Sequence, residues 1–157
     1  EEWGAAMDAY ERGFEVAQKG ELLDTMANIH LGMAEVLLEL GNSLMVPFCC
    51  ARALGIYKKL GNHLGEAWTY RLLAKSFVIR KEWTTAESLF RDALKLNEEY
   101  GDPLGAAETL RDLGRMQAAQ KHKQEARATL ETALAEFQKL GAEADAQEVE
   151  ATIQELP

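Results

Sequence analysis

Apolar residues recur along the whole chain at three- and four-residue spacing, and no alternating β-branched run bounded by turns interrupts them. In residues 1–19, Trp3, Ala6, Tyr10, Gly13 and Phe14 share one face of a helix. The same spacing predicts further helices over 21–40, 43–60, 62–80, 83–100, 103–120, 122–140 and 142–156, about eight in all. Glycines punctuate them: Gly41, Gly61, Gly101 and Gly141 each follow the last periodic residue, where a left-handed backbone ends a helix. Ser43 reads as the N-cap of the third helix, with Pro47 in its first turns. Asn62 or His63 starts the fourth. Asp102-Pro103 is an N-cap followed by proline at the first helical position. The turns are too short for anything but antiparallel neighbours.

The pattern also repeats. Gly61-Asn62-His63-Leu64-Gly65-Glu66-Ala67-Trp68-Thr69-Tyr70-Arg71 is echoed forty positions later by Gly101-Asp102-Pro103-Leu104-Gly105-Ala106-Ala107-Glu108-Thr109-Leu110-Arg111. The echo continues through Ala86/Ala126, Ala93/Ala133 and Leu94/Leu134. A fixed period of this length marks a repeat architecture.

Composition narrows the picture. The 157 residues, 47% hydrophobic, suffice for one continuous core and are too few for two ordinary domains. A net charge of −9 argues against duplex DNA or an anionic membrane as the partner of the surface as a whole. No apolar run approaches the roughly 20 residues that span a bilayer. Glu1-Glu2-Trp3 has the wrong charge for a signal peptide. Cys49 and Cys50 are adjacent; neighbours in a helix diverge too far for an easy disulfide, and a free pair suits a reducing, cytoplasmic setting.

Chemistry is hard to find. His30, His63 and His122 lie apart with no ligand-like partner, and no phosphate loop, nucleophile elbow or dinucleotide fingerprint occurs. The expectation is therefore a protein with no catalytic residues, no metal and no cofactor.

The helical-repeat spacings resemble the tetratricopeptide repeat family. Tyr70-x-x-Leu73-Ala74-x-x-Phe77 followed by Ala86-x-x-x-Phe90-x-x-Ala93 fits its pattern of large, Leu, Gly/Ala, aromatic, then Ala, aromatic, Ala. Leu110, Leu113, Gly114, Ala126, Leu130 and Ala133 keep it in the next repeat, and Met33, Ala34, Leu37 and Ala53 in the one before. The forty-residue period exceeds the usual ~34, a variant similar to the extended arrays of bacterial regulators and adaptor proteins. The resemblance implies an all-α, right-handed superhelix of helical hairpins whose first helices line a concave groove, and protein or peptide binding without catalysis. The expected organisation is a single domain, 1–157. Residues 1–20 would be the second helix of a truncated repeat, followed by repeats at 21–61, 62–101 and 102–141 and a capping helix at 142–157. Trp3 would then lack its covering helix.

Two surfaces stand out in this register. Arg71/Lys75 and Arg111/Arg115 are i, i+4 pairs of cations forty residues apart, on first helices whose matching positions face the groove; Trp68 stands beside the first pair. They read either as solvated or salt-bridged faces, the second pair neutralised by Glu108 and Asp112, or as a groove for an acidic peptide. Met45, Phe48 and Cys49 fall on the outward side of the third helix, where the matching residues are Glu125, Ala128 and Thr129. They form a convex contact surface unless Pro47 rotates the helix and buries them. The functional expectation is a protein-interaction or regulatory scaffold that takes a peptide or protein, without direct nucleic-acid or membrane binding. A dimerisation module of a larger transcriptional or signalling regulator is the alternative.

Overall fold

The computed structural model describes the backbone of residues 2–156 and the side chains of residues 4–156, so the environment of Trp3 lies outside the described residues. The described chain is all-α, with eight helices and no strand: α1 (Glu2–Lys19), α2 (Leu23–Glu39), α3 (Val46–Leu60), α4 (His63–Ile79), α5 (Trp83–Tyr100), α6 (Pro103–Ala119), α7 (Lys123–Leu140) and α8 (Glu143–Gln154). It divides into two compact units, residues 1–89 and 90–157, with the boundary inside α5.

A single turn geometry ends the first seven helices. Backbone φ is positive at Glu21, Gly41, Gly61, Lys81, Gly101, Lys121 and Gly141, one position in every twenty. The forty-residue sequence period is thus two helix-plus-turn modules of twenty. At each turn the next residue donates its N–H back across six residues, as Asn42 does to the Leu37 carbonyl (2.8 Å) and Glu82 to Phe77 (2.9 Å). This Schellman closure satisfies carbonyls that the helix end would otherwise orphan.

The echoed motif has a physical reason at each conserved offset. Asn62 and Asp102 cap their helices, each accepting the N–H three residues on, from Gly65 and Gly105, at 2.9 Å. Gly65 lies under the Tyr57 ring, where a Cβ would come within 2.5 Å of ring carbon. Ala67 and Ala107 are wholly buried, and the Thr69 and Thr109 hydroxyls donate to the Gly65 and Gly105 carbonyls (2.7 and 2.6 Å). The third helix departs from expectation at its start. Met45, not Ser43, holds the N-cap position and makes no side-chain cap bond, while Ser43 is buried in the turn that precedes Val46. With Pro47 already at the second helical position, one donor is absent by chemistry and a side-chain cap has less to satisfy.

In the first unit, α1 packs on α2, α2 on α3 and α3 on α4, with lighter contact between α2 and α4. Leu31, Val46, Cys50, Tyr57 and Leu72 fill its core, each such large apolar side chain contributing about 1.5–3 kcal/mol by leaving water. Ala34, Ala53 and Ala74 are fully buried where small side chains let helices approach. The second unit repeats the scheme with α7 against α6 and α8 around Leu130, Ala133, Phe137 and Val149. Here Gly114 takes the place of Ala74, and a Cβ on it would meet Leu130 at 2.6 Å.

Candidate functional site

The face of α4 that carries Trp68, Arg71 and Lys75 is half-buried at all three positions. Trp68 packs against the α2–α4 core, and its indole Nε1 is buried with no hydrogen-bond partner among the described residues. It is therefore more a part of the core's edge than an open aromatic anchor. Arg71 is not a free cation, since it has an interaction partner of its own.

On α6 the second pair is engaged by α8. The Arg111 guanidinium, only 13% exposed, donates from Nη1 to Asp145 Oδ1 at 2.6 Å and to Glu148 Oε2 at 3.1 Å. Its carbon sits 5.6 Å from the Phe137 ring centroid. Arg115 Nη2 lies 2.8 Å from Glu148 Oε1 and 3.5 Å from Thr152 Oγ1. Of the neutralising residues expected from sequence, Asp112 stands 3.7 Å from Arg111 Nε. The closer carboxylates come from more than thirty residues downstream, because helix packing brings α8 beside α6. A guanidinium partly removed from water and shared by two carboxylates is held more firmly than an exposed pair.

The outward surface of α3 splits in two. Met45 (48% exposed) and Phe48 (55%) face solvent, and Leu44 beside them is 75% exposed. Cys49 is 6% exposed and packs in the core beside Cys50, so it leaves the convex surface assigned to it from sequence. The helical step of about 100° between residues 48 and 49 turns one outward and the next inward. Both thiols are free. Burial pushes the Cys49 pKa up, and burial followed by the neighbouring Cys49 pushes Cys50 to about 12; such thiols are poor nucleophiles and poor metal ligands.

The histidines serve local roles. His63 and His122 stand over the first turns of their helices, 3.1 Å from Glu66 and 3.7 Å from Glu125. His30 lies against Phe14, with ring centroids 5.0 Å apart. Among the described residues no three His, Cys, Asp or Glu side chains gather as a metal site would require, and no helix is long and apolar enough to cross a membrane.

One feature escaped the sequence reading. A cleft of about 340 Å³ opens beside His30 between α1 and α3, with Arg52 and Lys59 on its α3 wall. Comparing position 52 with its later counterparts Asp92 and Thr132 would have flagged it, since of these three only position 52 carries a cation.

Helical hairpins at a forty-residue period, with small residues at the crossings, define a helical repeat protein. The tetratricopeptide repeat family model matches residues 25–99 and 73–139, and the chain belongs to that family. Tetratricopeptide repeats generally mediate protein–protein interaction and scaffolding, bind proteins or peptides and are typically non-catalytic. A search of curated proteins returned no match.

Proposed function

We propose that the chain is a protein-interaction scaffold whose first-helix face takes an acidic segment of a partner protein. The observation that supports this most is the hold of Arg111 and Arg115 on Asp145, Glu148 and Thr152 of α8. An i, i+4 pair of cations on a first helix grips a ladder of carboxylates presented by a neighbouring helix. The same pair recurs on α4 as Arg71 and Lys75. Because Arg71 has a partner within the chain, an incoming carboxylate shares or displaces it, and Lys75 is the side chain on which a test should rest. Trp68 supplies apolar surface at the same face, where desolvation strengthens a charge contact. Lys75→Glu should weaken binding of an acidic peptide about tenfold, or ~1.4 kcal/mol, with the melting temperature little changed. Affinity should also fall as salt screens the charges. An affinity indifferent to both would exclude this face.

The exposed Leu44, Met45 and Phe48 favour a second reading, self-association. Adjacent exposed apolar side chains are a common mark of contact surfaces. Sedimentation over a concentration range decides: a dimer that Phe48→Glu dissolves supports this reading, and a concentration-independent monomer removes it.

A further inference from the structure

The cleft between α1 and α3 is made by the repeat itself, because an equivalent one exists in the second unit. In the first unit Phe14, Met26, His30, Arg52, Ile56 and Lys59 form its working surface, around about 340 Å³. In the second unit the corresponding cleft, about 380 Å³, is lined by Glu98, Asp102, Leu110, Thr132 and Glu136. The register is eighty residues: His30 becomes Leu110, Arg52 becomes Thr132 and Ile56 becomes Glu136. At position 52 the backbone scheme therefore tolerates a neutral residue, whereas Lys59 recurs as Lys139, there paired with Glu136 at 3.4 Å. Nevertheless, in a chain of net charge −9 the first cleft is lined by Arg52, Lys59 and His30 with no carboxylate, and the second by three carboxylates with no cation.

We infer that the α1–α3 cleft is a docking site for an acidic segment of a partner protein, which places one bulky apolar side chain on Phe14, Met26 and Ile56 and its carboxylates on Arg52 and Lys59. The charge of the lining selects the sign of the partner. Its apolar floor selects against a bare anion, since burying Phe14 and Ile56 against another apolar group is favourable and burying them against a hydrated ion is not. The planar guanidinium of Arg52 suits a carboxylate held through two hydrogen bonds. Arg52 also lies over the Phe48 ring, 5.2 Å from its centroid, an arrangement that positions the head group without neutralising it. Burial, then the charge of Arg52, holds the His30 pKa below its usual value. The ring is accordingly neutral near pH 7 and offers a single N–H. This site takes Phe14 from α1, Met26 and His30 from α2, and Arg52, Ile56 and Lys59 from α3, none of them on α4, and it stands whether or not the α4 face binds anything.

The test uses the full chain, isotope-labelled, and a pool of octapeptides drawn from Asp, Glu, Leu and Phe. The expected result is a saturable shift of the Phe14 and His30 ring resonances. Arg52→Gln and Lys59→Glu should each weaken the titration at least fivefold, while Glu136→Lys in the second cleft leaves it unchanged. A shift confined to the Trp68 indole and the α4 amides would place binding on the first-helix face and overturn this inference while sparing that reading. It is also overturned if a Lys, Arg, Leu and Phe pool shifts the same rings equally, or if a pool of Asp, Glu and Ser does so. Octanoate matching the acidic pool would make the cleft a small-carboxylate site and overturn it too. Lys59 is exposed near the end of α3, so Lys59→Glu keeps the test valid should Arg52→Gln unfold.

Discussion

At Gly65 a single hydrogen atom in place of a methyl decides how α4 rests on α3. The Tyr57 ring occupies the space a Cβ would need, and Tyr57 is itself 1% exposed, its hydroxyl 2.5 Å from Asn28 Oδ1. Burial, then the charge of Asp24, lifts the Tyr57 pKa to about 12, so this bond is made by the neutral phenol at any ordinary pH. Gly65→Ala should cost about 1–3 kcal/mol by overpacking, read as a lower denaturant midpoint with an unchanged slope. No movement of the midpoint would mean that the ring can step aside. His30 gives a second residue-scale prediction. Its folded-state pKa lies below the unfolded value of about 6.5, so as pH falls the unfolded chain takes up the proton first. Stability must then decline from about pH 6.5 downward and level off below the folded pKa. His30→Gln should flatten that part of the stability–pH curve relative to wild type; an equal decline in both would contradict the burial of His30. Of these features, Gly65 was legible in the sequence through its echo at Gly105. The inward turn of Cys49 and the half-buried state of Trp68 were not, because both depend on helix rotation by a fraction of a turn.

At the scale of the element, the regularity lies in the turns. Seven left-handed positions at twenty-residue intervals include three that are not glycine: Glu21, Lys81 and Lys121, with φ of 54°, 60° and 67°. A side chain there opposes the backbone conformation, whereas glycine adopts it freely at the expense of a more mobile unfolded chain. Lys81→Gly should therefore raise stability by about 0.5–1 kcal/mol, seen as a higher melting temperature; a drop would show that the Lys81 side chain contributes more than its strain. The four glycine stops announced themselves in the sequence. The other three did not, since Lys and Glu carry no turn signal, and only their place in the period gives them away. Helix ends held to within a few residues for the same reason. The start of α3 slipped because Ser43 offered a cap that the chain does not use. Arg111 tests the docking of α8: Arg111→Gln should cost about 1–2 kcal/mol, a charge-assisted bond discounted because Asp145 and Glu148 are 37% and 50% exposed. Hydrogen exchange should quicken first in α8. Unaltered exchange there would mean that Val149 and Ala146 suffice to hold it.

At the scale of the whole molecule, family and fold were readable because a repeat writes the same instruction several times, so that noise at one position is corrected at the next. The candidate site was readable only in part. The i, i+4 cations on α4 and α6 are visible to the eye, but what meets them is a long-range property. Asp145 lies 34 residues from Arg111, and nothing local marks it. Conversely, the basic cleft between α1 and α3 uses residues from three helices, none of them remarkable in its own segment. Function in such a protein rests on which positions of a common scaffold depart from their counterparts. The function proposed for this chain, binding of an acidic protein segment with a contribution from charge on α4, is open to direct test. The most direct measurement is a titration of the labelled chain with the Asp, Glu, Leu and Phe octapeptide pool at low and at high salt, in wild type and in Lys75→Glu. Saturable shifts at the Trp68 indole and the amides around Lys75, weakened about tenfold by the substitution and weakened again by salt, are the predicted result. Shifts there that ignore both, or no saturable shift at that face, would contradict it.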